Sequence, residues 1–122
     1  MKLFIILGAI NAFLAVALGA FGAHGLKETL GSYLKTWETG VNYQMFHALG
    51  LIAIGIIAGN IPASALLNWS GWLMFIGILL FSGSLYVLSV TKISSLGAIT
   101  PFGGVSFLIS WVLLILVALR YM

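Results

Sequence analysis

The 122-residue chain is 62% hydrophobic and 6% charged, with no cysteine and a formal net charge of +3. Its charged residues are Lys2, Lys27, Glu28, Lys35, Glu38, Lys92 and Arg120, too few to cover a water-exposed surface when globular domains carry about 25%. No basic run exists to hold nucleic acid, and the missing thiols exclude disulfides, thiolate nucleophiles, iron–sulfur clusters and cysteine-type zinc sites.

A helix needs about 20 mostly apolar residues to cross a hydrocarbon core of about 30 Å. Four such runs occur, at about 3–23, 41–59, 70–90 and 102–119. None contains a charge, and each must be helical because lipid offers no partner for backbone polar groups. The chain therefore reads as an all-α membrane protein, one domain over 1–122 folded as a four-transmembrane-helix bundle. Lys2 and the small residues around Ala20 fit a signal peptide loosely, but the run is long for one and is expected to stay as a span.

Between the first two spans, residues 24–40 place Leu26, Leu30, Tyr33, Leu34 and Trp37 at helical spacing, with charges between them. That pattern predicts an amphipathic interfacial helix. Gly59-Asn60-Ile61-Pro62 stops the second span, and Trp69 and Trp72 suit the interface at the start of the third. Thr100-Pro101 reads as an N-cap with proline at the first helical position. Three lysines on the linker side against Lys2 and Arg120 on the terminal side lean, by one residue, toward cytoplasmic linkers.

With no hydrophobic drive between helices in lipid, small residues mark the packing faces. They are Gly8, Gly19 and Gly22 in the first span, Gly55 and Gly59 in the second, Gly77 in the third and Gly103 in the fourth.

Threading four spans brings the end of the first, the start of the second, the end of the third and the start of the fourth to one side. Most of the unusual polar residues lie there: His24, Tyr43, Gln44, His47, Ser82, Ser84, Tyr86 and Thr100. Such a cluster at membrane depth is either a ligand site or a network pinning the helices together. Catalysis is not expected, because there is no Asp and both Glu residues lie in the linker, leaving no carboxylate to orient a Ser–His pair. His24 and His47 could in principle ligate haem or copper, but no further ligand set accompanies them, so no metal or other cofactor is expected.

The segments Gly19–Leu26 (GAFGAHGL), Tyr43–Leu49 (YQMFHAL), Phe81–Tyr86 (FSGSLY) and Gly97–Gly104 (GAITPFGG) resemble the YwdK/YgdD-like family, domain of unknown function 423. That family comprises small bacterial four-helix membrane proteins, with a vertebrate mitochondrial relative, transmembrane protein 256. The resemblance spans nearly the whole chain; it implies the four-helix fold and a bacterial inner or plasma membrane, and no reaction.

The residues point to a non-enzymatic accessory protein, or a bundle that binds a lipid or small ligand at its polar end. It would be embedded in the lipid bilayer, alone, as a homo-oligomer or within a larger membrane assembly. The alternative is a small channel or uncoupled transporter acting as an oligomer. Proton coupling of the small multidrug exporter kind is disfavoured, since Asn11 stands where those proteins carry a carboxylate.

Overall fold

The computed structural model describes residues 2–122, and among them all regular structure is helical. Helix α1 runs Lys2–His24, the short α2 Lys27–Leu30, α3 Leu34–Ala58, α4 Ala65–Thr91 and α5 Thr100–Tyr121. Four helical segments are long and apolar enough to cross a membrane.

Two spans begin earlier than the hydropathy pattern predicts. The interfacial helix shrinks to α2 and a 3-10 turn over Gly31–Tyr33, while Leu34–Gly40 forms the first turns of α3. Gly31 makes the junction at φ 54°, a backbone conformation that favours glycine. The cause of the early start is Trp37. Its ring packs on Gly22 of α1 and its indole N–H donates to Leu18 O at 2.9 Å, so this turn is bundle wall rather than a lid. The stretch is still two-faced: Leu30 and Trp37 are buried, and Glu28, Lys35 and Glu38 exposed. Helix α4 likewise starts at Ala65, because the Ser64 hydroxyl accepts from Leu67 N–H at 3.3 Å as its N-cap. It ends at Lys92, a left-handed C-cap (φ 59°) whose N–H bonds Leu88 O.

The helices associate as two hairpins, α1 with α3 and α4 with α5, joined along α3 and α4. Small residues allow the close approach. A Cβ on Gly8 would lie 2.7 Å from Ala48 O, and one on Gly77 would run into the Phe107 ring. Gly103 sits against the backbone of Phe81, and Gly19 and Gly22 face Val41 and Trp37. Gly55 is buried within α3. Gly59, expected at a packing face, instead lies exposed just past the end of α3, where its N–H closes the last turn. Gly40, Gly50 and Gly71, not singled out from the sequence, receive Tyr86, Met74 and Phe4. The core they surround includes Phe4, Leu51, Ile54, Met74, Ile78 and Phe107.

Helix α4 contains one π-helical turn over Ile78–Ser82, closed by Gly83 N–H on Ile78 O. It widens the helix where α5 approaches closely, at Phe81 and Gly103. Such turns are frequent at functional positions.

Candidate functional site

A chain of side-chain hydrogen bonds crosses three helices. Tyr86 on α4 donates its hydroxyl to Gln44 Oε1 at 2.6 Å, Gln44 Nε2 on α3 donates to Asn11 Oδ1 at 3.1 Å, and Asn11 Nδ2 on α1 donates to its own Leu7 O at 2.8 Å. Gln44 and Asn11 are buried. Nearby, the Ser82 hydroxyl donates to Gly40 O at 2.7 Å, and Ser84 Oγ donates to Phe81 O at 2.9 Å. Ser84 also pairs with Thr100 Oγ1 at 2.6 Å. Thr100 is therefore the first residue of α5, its hydroxyl turned across to α4, and not the side-chain cap the sequence suggests. Among the described residues no buried side-chain N or O atom lacks a partner. These groups are consumed by holding helices together.

His47 stands one turn beyond Tyr43 and belongs to a different setting. Trp111 on α5 donates its indole N–H to His47 Nε2 at 3.0 Å, and His47 Nδ1 lies 2.8 Å from Tyr43 O. An indole nitrogen only donates, so Nε2 accepts and Nδ1 carries the proton to the Tyr43 carbonyl. The ring is neutral in this arrangement and both nitrogens are occupied. Its face stacks on Phe107 at 3.5 Å and 8°.

These rings form one wall of a groove of about 710 Å³ between α3 and α5. Phe81, carried on the π-helical turn, forms its floor against Tyr43 (centroids 4.4 Å) and Phe107 (5.7 Å). Phe46, Val105 and Leu108 are more than half exposed and make the outer lips. Among the described residues no charged one lines it. Of its polar side chains, Asn42 and Tyr43 lie toward the start of α3, whereas His47 lies at the far end with Leu108 and Trp111, its two nitrogens already bonded to Tyr43 O and the Trp111 N–H. The volume falls within the roughly 300–1,000 Å³ of small-ligand sites, which are mostly apolar with a few placed polar groups.

Of the eight residues expected to cluster, the structure divides them. Gln44 and Tyr86 join the three-helix network, Ser82, Ser84 and Thr100 the α3–α4–α5 ties, and Tyr43 and His47 the groove. His24 is exposed in the last turn of α1, and among the described residues no hydrogen bond or ring contact joins it to the others. The two histidines are thus not a ligand pair, and no three His, Asp or Glu side chains converge among the described residues. Sequence reasoning missed Asn11 as a partner of Gln44, Trp111 and Phe107 as groove residues, and the Ser70–Ser110 pair deeper between α4 and α5. The available signal was a tryptophan in mid-span, whose N–H requires an acceptor.

Comparison with known proteins points to a family. Residues 18–104 match the family model described as "Protein of unknown function (DUF423)". The chain is 58% identical to the UPF0382 membrane protein YwdK of Bacillus subtilis, over the full length of both. It is 57% identical to a UPF0382 membrane protein of Staphylococcus saprophyticus, covering 95% of this chain and 96% of that one. A Staphylococcus epidermidis relative is 54% identical, covering 99% and 98%. No solved structure matches. With its four apolar helices and these relatives, the chain belongs to the DUF423 family of membrane proteins.

Proposed function

We propose that this protein is a non-enzymatic bundle of the bacterial plasma membrane that binds a lipid or small ligand by seating an uncharged, apolar part of it in the groove between α3 and α5. The observation that carries this reading is the groove: aromatic walls, no charged side chain among the described lining residues, and polar groups at the Trp111 end already bonded to one another and to Tyr43 O. Catalysis has little to work with there. His47 has both nitrogens engaged, and the hydroxyls of Ser82 and Ser84 are bonded elsewhere, so no nucleophile–base pair is set up. The polar network beside the groove, Asn11, Gln44, Tyr86, Ser82, Ser84 and Thr100, supplies a rigid frame and lines no part of it.

A plug tests the reading. Gly104 lines the groove, and a Cβ there would meet only Phe81 Cδ2, at 3.9 Å. Gly104→Phe therefore fills the space without displacing backbone. Native mass spectrometry of protein released from mild detergent is expected to show one small molecule retained per chain, and none in Gly104→Phe. Equal retention in both proteins rejects the groove as the site. Solute flux through reconstituted liposomes that is lost in His47→Ala would favour a conduction pathway instead.

A further inference from the structure

The groove has a length as well as a chemistry. It begins beside Pro101, in the first turn of α5, and ends at Trp111, which at 1.5 Å per residue is about 15 Å along the helix. The hydrocarbon core is about 30 Å thick, so the groove runs the depth of one leaflet and stops near the middle. Beyond Trp111 the groove has no lining residue, although α5 keeps an exposed apolar row at Val112, Ile115, Leu116 and Leu119. A spanning helix of a second copy would follow that whole row, whereas the concave groove accompanies only its first half.

The two ends differ in the sense an amphiphile requires. The shallow end has Asn42 and the Tyr43 ring edge, both exposed. The deep end offers no free polar group, because the Trp111 N–H is held by His47 Nε2 and His47 Nδ1–H by Tyr43 O. The flank opens sideways between Phe46 and Leu108, so a chain can enter from the bilayer without a portal. Above the shallow end, exposed Lys35 lies seven residues before Asn42 on the same face of α3. Exposed Glu38 falls on the side of that face turned away from Tyr43 and His47.

We infer that the ligand is a membrane glycerophospholipid of the leaflet at the α3/α5 starting side, with one acyl chain in the groove and its phosphate between the levels of Asn42 and Lys35, within reach of the lysine's long side chain. This rests on the ligand-binding reading above and narrows it to one class. A ring-headed apolar molecule, such as an isoprenoid quinone, would use the same walls but carries no phosphate for Lys35.

The test uses delipidated full-length protein in detergent, titrated separately with palmitoyl-oleoyl phosphatidylglycerol and an isoprenoid quinone, and read by native mass spectrometry. One phospholipid per chain is expected, weakened about tenfold or more by Gly104→Phe and measurably weakened by Lys35→Ala, with the quinone binding less well. Leu108→Trp, on the exposed lip, gives the same block should Gly104→Phe fail to fold. Quinone binding that outcompetes phospholipid and is lost in the plugged variant overturns this inference and leaves the broader ligand-binding reading standing. Neither probe binding overturns both. Phospholipid binding indifferent to Lys35→Ala overturns the placement of the phosphate. A dimer that separates in Gly104→Phe assigns the groove to a second copy and overturns the lipid.

Discussion

Trp111 and His47 are joined by an indole N–H donated to Nε2 at 3.0 Å, and that bond decides the state of the imidazole. Since the indole cannot accept, the proton sits on Nδ1 and goes to Tyr43 O. Nitrogen-15 spectra of histidine-labelled protein should show Nδ1 protonated and Nε2 bare at neutral pH; a protonated Nε2 would reject the relationship. Trp111→Phe keeps an aromatic ring, though a smaller one, and removes the donor, leaving a buried acceptor unpaired. It should destabilise the protein by about 1–2 kcal/mol in equilibrium unfolding from mixed micelles.

The Asn11–Gln44–Tyr86 chain should behave as a coupled unit. Gln44 serves both neighbours at once, so replacing it with Ala strands an Asn oxygen and a Tyr hydroxyl on different helices. A double-mutant cycle between Gln44→Ala and Tyr86→Phe is expected to give a coupling energy near 0.6 kcal/mol, and no more than about 1.7. Strict additivity would mean that the 2.6 Å contact contributes nothing to folding.

How far the sequence reveals this arrangement depends on the kind of signal. Hydropathy finds every span, because lipid permits helices and nothing else for a chain of this pattern. Span ends are harder to read: Trp37 and Ser64 shift them through a contact with Leu18 and a cap on Leu67, which hydropathy does not register. The threading argument brings Gln44, Ser82, Ser84, Tyr86 and Thr100 to one side of the bundle, and there they are paired. It cannot separate Gln44 from His47. These are three residues apart on one helix, yet one faces α1 and α4 and the other faces α5. Asn11 shows the same limit, since helix depth along the chain does not say which neighbour a side chain meets. The groove has no sequence signature, because aromatic residues at helical spacing look alike whether they fill a core or line a cleft.

Two glycines twenty residues apart should respond oppositely to alanine. At Gly103 a methyl group would lie 2.7 Å from Phe81 Cβ and 2.8 Å from its Cα, against backbone that cannot yield. Gly103→Ala should cost about 1–3 kcal/mol, as overpacking does. Gly83 is helical (φ −59°, ψ −45°) with nothing within 4 Å of its added Cβ. Gly83→Ala should be neutral or stabilise by up to about 1 kcal/mol through helix propensity. Unfolding midpoints that move in the same direction would contradict the close approach at the π-helical turn.

The deepest tie between α4 and α5 can be converted into a covalent one. Ser70 donates to Ser110 O at 2.9 Å, Ser110 donates to Ser70 O at 2.6 Å, and the two hydroxyl oxygens lie 3.2 Å apart. Both residues are fully buried, and the chain has no cysteine to compete. Sulfur atoms standing where these hydroxyl oxygens lie, 3.2 Å apart, need only a small side-chain rotation to reach the roughly 2.05 Å of a disulfide bond. The double substitution Ser70→Cys with Ser110→Cys should therefore form an intrachain bridge in membranes under mild oxidant. Thiol-blocking with a polyethylene glycol maleimide reads it as loss of both mass shifts, restored by reductant. Ser70→Cys paired with Leu119→Cys, at the exposed far end of α5, should stay reduced. Bridging at the second pair in preference to the first would place α5 in a different register against α4 and, with it, remove the alignment of Phe81, Phe107 and Trp111 that forms the groove.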